Sequence, residues 1–339
     1  MKEQIIPILE ELLHAPSPTG FTEAAAEVVE KHLKEAGLTV TRTPKGSLIA
    51  DVGEGEEGLI LAAHIDTLGL MVRTIYPDGT LGITRLGGYP YLYVEGENVL
   101  VHTLEGKTYE GTVRLVNPSV HANHKVDELP REEASMRVVL DEEVFDETGV
   151  KDLGIRHGDP ISLDVRYRHT SAGYIKSRHL DDKASAAILL ALAKDLKNKA
   201  HPPLRFFFSV YEEVGHGASA ARDPRFTEML AVDMGVVGEG LTTREEVVSI
   251  CRKDSSGPYD YAMTKRLIDL AEEHNIPHAL DIYPFYGSDA SAALRGGADL
   301  RSALIGPGVA SSHGYERTHE KALFATYDLI LAYLEKTTK

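Results

Sequence analysis

The segment "LRFFFSVYEEVGHG", residues 204–217, sets the strongest constraint on how this chain can fold. A run of phenylalanine and valine has the look of a buried strand, yet it ends in two adjacent carboxylates, Glu212 and Glu213, followed by a Gly-rich turn. Burying even one unpaired carboxylate is costly, and the cost is avoided by ion pairing, protonation or a bound cation. Any fold for this chain must therefore bring compensating groups to the end of that strand.

The same texture recurs elsewhere. "AAHIDTLG" ends an apolar run with His64 and Asp66, and a period of two puts both on one face of a strand. His64 has the chemistry of a metal ligand and Asp66 that of the group that orients it; alone, the pair is equally a satisfied core histidine beside a capping acid. "SRHLDDKASAAILL" places Asp181 and Asp182 where a helix begins. One aspartate there is an ordinary N-cap, and two in a row exceed what a cap needs. "LAVDMG" ends an apolar strand on Asp233, and "GVASSHGYERTHE" supplies His313 and His319 in a loop. Glu212 and Glu213 would point to opposite faces of a regular strand, but the turn at Val214 and Gly215 lets both reach one cavity.

Around these positions the chain alternates helix and strand. "FTEAAAEVVEKHLKEAG" has Ala25, Val28, Val29 and Leu33 on one face, with Gly37 closing it. "GLILAAHIDTLGLMV" reads as a strand covered on both faces. From about residue 72 to 172 the texture changes to short Val/Tyr/Thr runs separated by Gly, Asp and Asn, which predicts a small β-barrel. Alternation then returns, with a helix apolar all round at "DDKASAAILLALAKDLKN" and a closing amphipathic helix at "EKALFATYDLILAYLEK". The expected fold is α/β, a mixed sheet flanked by helices, with the barrel inserted. The expected domains are 1–71 with 173–339, and 72–172. Ligands of such sheets gather at the carboxyl ends of the strands, where the acids and histidines lie.

Charge narrows the function. The 339 residues carry a formal net charge of −16, so a nucleic-acid partner and an anionic membrane surface are not expected. The longest apolar stretch, within "ASAAILLALA", is well short of the roughly 20 residues that span a bilayer. One cysteine, Cys251, rules out an intrachain disulfide and a cysteine-rich metal knuckle. The N-terminus lacks a signal-peptide core, so the expected location is the cytoplasm. His64, Asp181, Glu213, Asp233 and His313 together offer two imidazoles and three carboxylates. That donor set suits two borderline divalent ions, Zn²⁺ or Co²⁺, with Glu212 left over as a base beside the activated water.

The segments "AAHIDTLGLMV", "LDDKASAAILL", "YEEVGHGA", "AVDMG" and "YGSDASA" resemble, in this order, the motifs of metallopeptidase family 42, the TET, glutamyl or deblocking aminopeptidases. "DLGIRHGDPISLD" is similar to the stretch that closes the family's inserted β domain. The resemblance implies a zinc-exopeptidase-like fold with a PDZ-like insert that dimerises, and dimers that build a dodecamer. It implies peptide substrates attacked at the N-terminus, with His64 and Asp233 on one metal, Glu213 and His313 on the other, and Asp181 bridging. Glu212 would be the general base and Asp66 the residue that holds His64. One segment departs from the family pattern: where "RYxHSPxE" is usual, this chain has "VASSHGYERTHE", which leaves His313 and His319 both open as the last ligand. The altered segment resembles a branch encoded beside synthesis genes for the osmoprotectant N-acetylglutaminylglutamine amide, and so bears on the substrate. His121 and His124 in "VHANH" read as loop residues.

Three other readings compete. A two-carboxylate glycosidase needs acids about 5–9.5 Å apart, and this chain has no tryptophan for a sugar platform. A dinuclear amidohydrolase or deacylase acting on a small N-acyl amino acid or dipeptide would use the same metals. A non-catalytic assembly protein would keep the fold but has no reason to keep Glu212.

Overall fold

In the computed structural model, which describes residues 2–337 except positions 56, 197, 198 and 200, the chain forms two units. The first runs to Asp66 and resumes at Arg166; the second is Thr67–Val165. Both boundaries fall earlier than the sequence texture placed them. The run "GLILAAHIDTLGLMV" is two strands rather than one, broken at residues 65–68, and it is apolar on both sides of the break, so composition does not mark the crossing. At the return, residues 166–172 share the Tyr/Arg/His texture of the barrel but already belong to the first unit.

The first unit opens with α1 (Ile5–His14), α2 (Glu23–Glu35), β1 (Thr41–Arg42), β2 (Leu48–Val52) and β3 (Gly58–His64). The second unit is a closed antiparallel barrel, strand order β4-β5-β8-β7-β6-β9. Its strands are β4 (Gly69–Ile75), β5 (Leu81–Leu86), β6 (Asn98–His102), β7 (Thr108–Leu115), β8 (Met136–Leu140) and β9 (Pro160–Leu163), with α3 (Glu147–Asp152) before the last. Alternation fills it: in β8, Met136, Val138 and Leu140 point into the barrel core while Arg137 and Val139 are only partly covered.

The chain returns through β10 (Arg168–His169), β11 (Tyr174–Ser177), α4 (Leu180–Leu196), β12 (Leu204–Ser209), β13 (Phe226–Val232) and β14 (Gly235–Val237). It continues with β15 (Val248–Asp254), β16 (Gly257–Pro258), α5 (Tyr261–Glu273), β17 (His278–Ile282), α6 (Asp289–Arg295), β18 (Arg301–Ala310), β19 (Glu316–His319) and α7 (Glu320–Thr337). "SALIGPG" is thus the middle of a ten-residue strand rather than a short one. The mixed sheet has the path β1-β2-β12-β3-β13-β18-β19-β11-β10, with β15 and β17 continuing from β18.

At its centre β3 pairs in parallel with β12 and β13, and every residue of β3 is buried. Its side chains divide by parity. Leu59, Leu61 and Ala63 join the core that α1, α2, α4 and α7 share. Ile60 and Ala62 join Phe207 and the α6 residues Ala290 and Ala293. This two-sided cover is why the sequence reads as continuously apolar there. The parallel registers Ser209↔His64 and Ala231↔Ala62 set the carboxyl ends of β12, β3 and β13 level. Asp233, one residue beyond β13, therefore arrives beside His64.

Gly306 in β18 fixes that arrival. A Cβ at this position would lie 2.0 Å from the Asp233 carbonyl oxygen and 2.6 Å from its carbonyl carbon. Gly306→Ala is expected to destabilise the protein by roughly the upper end of the about 1–3 kcal/mol typical of overpacking, and to lower metal affinity by displacing Asp233. Thermal melts and metal titration of the variant check this; wild-type behaviour in both would show that the close approach is not needed.

Candidate metal centre

Two groups of side chains that could hold a metal ion converge at these strand ends: His64 with Asp181 and Asp233, and Asp181 with Glu213 and His313. Within each group the ligand atoms lie within 4.8 Å of one another. Asp181 is common to both. Its Oδ1 is 3.1 Å from His64 Nε2, and its Oδ2 is 3.4 Å from His313 Nε2. Glu213 Oε2 is 3.6 Å from the same His313 nitrogen.

Local backbone explains how each arrives. β3 stops at His64, and the next N–H, of Ile65, donates to Ser209 O at 3.0 Å. Asp181 and Asp182, joined by a cis peptide bond, have non-helical dihedrals at the start of α4, so neither is an ordinary helical residue of the first turn. Glu212–Val214 form a single 3-10 turn closed by Gly215 at φ +85°. That turn resolves the parity problem of the adjacent glutamates, since both leave a turn rather than a pleated strand. His313 lies in the loop before β19 at φ +66°.

Four further buried acids hold the backbone around the centre. The Asp66 carboxylate accepts the N–H groups of Glu212 at 3.1 Å and Glu213 at 3.3 Å, and the Thr19 hydroxyl at 2.7 Å. Asp182 Oδ2 accepts the His64 N–H at 3.3 Å. Glu316 accepts the N–H groups of His313 and Asp181. Asp289 holds the far end of the glutamate loop through Ser209 Oγ at 2.6 Å and the Ala218 N–H at 2.8 Å. Asp66 orients His64 differently from the expectation. The imidazole Nδ1 is 2.9 Å from the Asp66 main-chain oxygen, whereas the carboxylate is 3.6 Å away and serves the Glu212–Glu213 turn. The physical reason is that β3 has ended, so residues 64 and 66 no longer share a pleated face.

The electrostatics call for a cation. Burial, reinforced by the Asp181 charge, pushes Glu213 up to about 8 and Asp233 up to about 7. Burial likewise raises Glu212 and Asp182 well above the carboxylate range. For His64, burial works downward, but Asp181, Asp66 and the Glu212 charge outweigh it and hold the imidazole well above its ordinary value. For Asp181 burial works upward, and the His313 and His64 contacts overcome it to hold the carboxyl below its ordinary value. Without a cation, this cluster takes up protons instead. Glu213 Oε1 and Asp233 Oδ1 are buried and have no hydrogen-bond partner, as expected of ligand atoms that face an ion. The oxygen and imidazole donor set fits a borderline divalent metal.

Of the two candidates for the last ligand, His313 joins the cluster and His319 does not: His319 contacts the Ala172 carbonyl at 2.9 Å and the Lys321 N–H at 3.1 Å. His121 and His124 are exposed in the second unit. Sequence reasoning missed Thr19, Glu316 and the backbone-holding roles of Asp182 and Asp289. For Glu316, the three-residue spacing from His313 at the start of a strand was an available signal.

A metal-dependent hydrolase is the class this fold and this centre define. The chain belongs to the M42 glutamyl aminopeptidase family, whose pattern spans residues 46–329, and it is a metal-dependent aminopeptidase. It is 44% identical over 333 residues to the Bacillus subtilis (strain 168) protein named "Putative aminopeptidase YhfE", covering 97% of this chain and 96% of that one. Among solved structures, an aminopeptidase from the archaeon Desulfurococcus kamchatkensis superposes with a TM-score of 0.88 at 22% identity, covering 99% and 95% of the two chains. The Pyrococcus horikoshii TET1 peptidase, which can assemble into a tetrahedron or a large octahedral shell, superposes with a TM-score of 0.87 at 23% identity, covering 97% and 99%.

The raised carboxyls predict a pH dependence for the metal-free protein. A carboxyl whose folded pKa stands above its unfolded value contributes stability below the unfolded value and loses it as pH rises through the folded one. Glu213 and Asp233 therefore make the chelated protein less heat-stable as pH goes from about 4.5 to about 8. Asp181, held low, acts only in more acidic solution. A divalent metal restores the loss. Melting temperatures of stripped and reloaded protein at pH 5 and pH 8 check this; a stripped protein that is more stable at pH 8 contradicts it.

Proposed function

We propose that this aminopeptidase works with two divalent cations, Zn²⁺ or Co²⁺. His64 and Asp233 hold one, Glu213 and His313 the other, and Asp181 lies between them. The sharing of Asp181 by both ligand groups is the observation that carries the reading. When bound, such a pair lowers the pKa of a water and stabilises the negative charge that develops on a scissile carbonyl.

Glu212 is the general base. It belongs to neither ligand group, and its carboxylate lies 3.8 Å from His64 Nε2. Burial raises its proton affinity, which suits a base that accepts a proton from water and returns it to the leaving amine near neutral pH. Asp66 supports this step by holding the main chain of Glu212 and Glu213. The substrate is a peptide with a free N-terminus, and the chain works as a homo-oligomer, with the barrel as the dimerising element and dimers forming a dodecamer. The TET1 relative's ability to form closed shells supports that assembly. The single cysteine is compatible with a cytoplasmic setting, and among the described residues no helix is long and apolar enough to cross a membrane.

An activity panel on stripped and reloaded protein tests the reading. Aminoacyl anilides with a free amine should be cleaved, and their N-acetylated counterparts left intact. Glu212→Gln should lower kcat by about 10²–10⁴-fold, the range for removal of a general base, while both ions stay bound. Preferential cleavage of the N-acetylated compounds would favour the deacylase reading, and undiminished turnover in the variant would remove Glu212 as base.

A further inference from the structure

Glu316 is a buried acid, 2% exposed, that the proposed reaction does not use. Its two oxygens each accept a main-chain N–H: Oε1 from His313 at 3.0 Å and Oε2 from Asp181 at 3.1 Å. Its place in the fold makes this possible. Glu316 opens β19 and pairs with Ser177, the last residue of β11. The chain leaving β11 reaches Asp181 four residues later, and His313 stands three residues before β19. One carboxylate therefore sits where the two ligand-bearing segments cross. Arg178 adds a second tie between them, donating from Nη1 to the Gly314 carbonyl at 3.2 Å.

The two ligand groups do not depend equally on such ties. His64 ends a central strand, pairs with Ser209 and has its ring fixed by the Asp66 carbonyl; its side chain is 1% exposed. Asp233 donates its N–H to Ile305 O at 2.9 Å. The sheet itself therefore places both. His313 comes from a loop, and its side chain is 34% exposed. Ser311 and His313 have φ of +59° and +66°, left-handed conformations that a non-glycine residue keeps only when its surroundings dictate them. The Glu316 carboxylate on the His313 N–H is a contact that dictates this one.

We propose that Glu316 is a positioning residue that sets the His313–Asp181–Glu213 group, and with it the affinity for one of the two cations, while the His64–Asp181–Asp233 group, two of whose three residues the sheet places, depends on it much less. This rests on the two-cation reading above. Because Glu316 touches main chain rather than metal, its effect passes through ligand geometry, as for other residues that orient metal ligands, whose removal costs about 10–100-fold in affinity.

Stepwise Co²⁺ titration of stripped protein, followed by calorimetry and visible absorption, tests the proposal, with turnover as a second readout. Wild type should take up two ions. Glu316→Ala and the near-isosteric Glu316→Gln should bind the first ion within about threefold of wild type and the second at least about tenfold more weakly. Their kcat, low at limiting metal, should recover in excess metal. Glu316→Gln carries the test if the alanine variant does not fold, with thermal melts of the one-ion form as the control. An unchanged second step in a folded variant overturns the proposal, and so does equal weakening of both steps. Uptake of a single ion by wild type would instead remove the two-cation reading itself, and the wild-type titration alone shows that outcome.

Discussion

Carboxylates buried together at the strand ends repel one another and lose their hydration, and the rest of the first unit answers that problem. The side chains of Asp181, Asp182, Asp233, Glu213 and Glu316 are all buried near one another, and burial is the main cause of the upward shift of Asp182, Glu213, Asp233 and Glu316. His64 and His313 offset them locally, and both touch Asp181. Such a cluster is stable in one of two ways, by binding protons or by binding cations. Metal dependence is thus built into the folding physics of the chain as well as its chemistry.

The scaffold divides the acids by role. Glu213 Oε1 and Asp233 Oδ1 face the centre unpartnered, and Asp182 Oδ1 likewise has no partner. The acids behind the centre, Asp66, Asp182 and Glu316, spend oxygens on main-chain N–H groups of His64, Asp181, Glu212, Glu213 and His313. A buried N–H needs an acceptor in any case, so the same bonds satisfy the irregular backbone at strand ends and aim the ligands. The sheet supplies the remaining order: parallel registers bring His64 and Asp233 level, and Gly306 lets the chain after β13 come close enough.

Much of this was readable from residues. The apolar strands ending in acid gave the α/β architecture and the strand-end location of the centre, because burial on both faces leaves a continuous apolar signature. The texture change near residue 72 disclosed the barrel. The crossing at Asp66 was not readable, because the residues that flank it, 61–63 before and 68–72 after, are apolar on both sides. The true task of the Asp66 carboxylate was hidden because it depends on where β3 ends, a matter of one or two residues that periodicity does not resolve. Glu316 was missed for a related reason: its spacing from His313 was visible, but its partners are backbone N–H groups, 135 and 3 residues away, and a backbone partner does not show in residue type. The choice between His313 and His319 turned on which of them faces Asp181, and the β11–β19 pairing sets His319 opposite Tyr174, away from the Ser177 end that leads to Asp181.

If Asp181 is shared by two cations, as proposed, each ion has one of its oxygens as a neighbour. Anomalous diffraction from crystals of the protein loaded with Co²⁺ or Zn²⁺ tests it most directly. The account predicts two peaks about 3.5–4 Å apart, one beside His64 and Asp233 and one beside Glu213 and His313, with an Asp181 oxygen on each. A single peak at saturating metal, or two peaks of which only one touches Asp181, would contradict it.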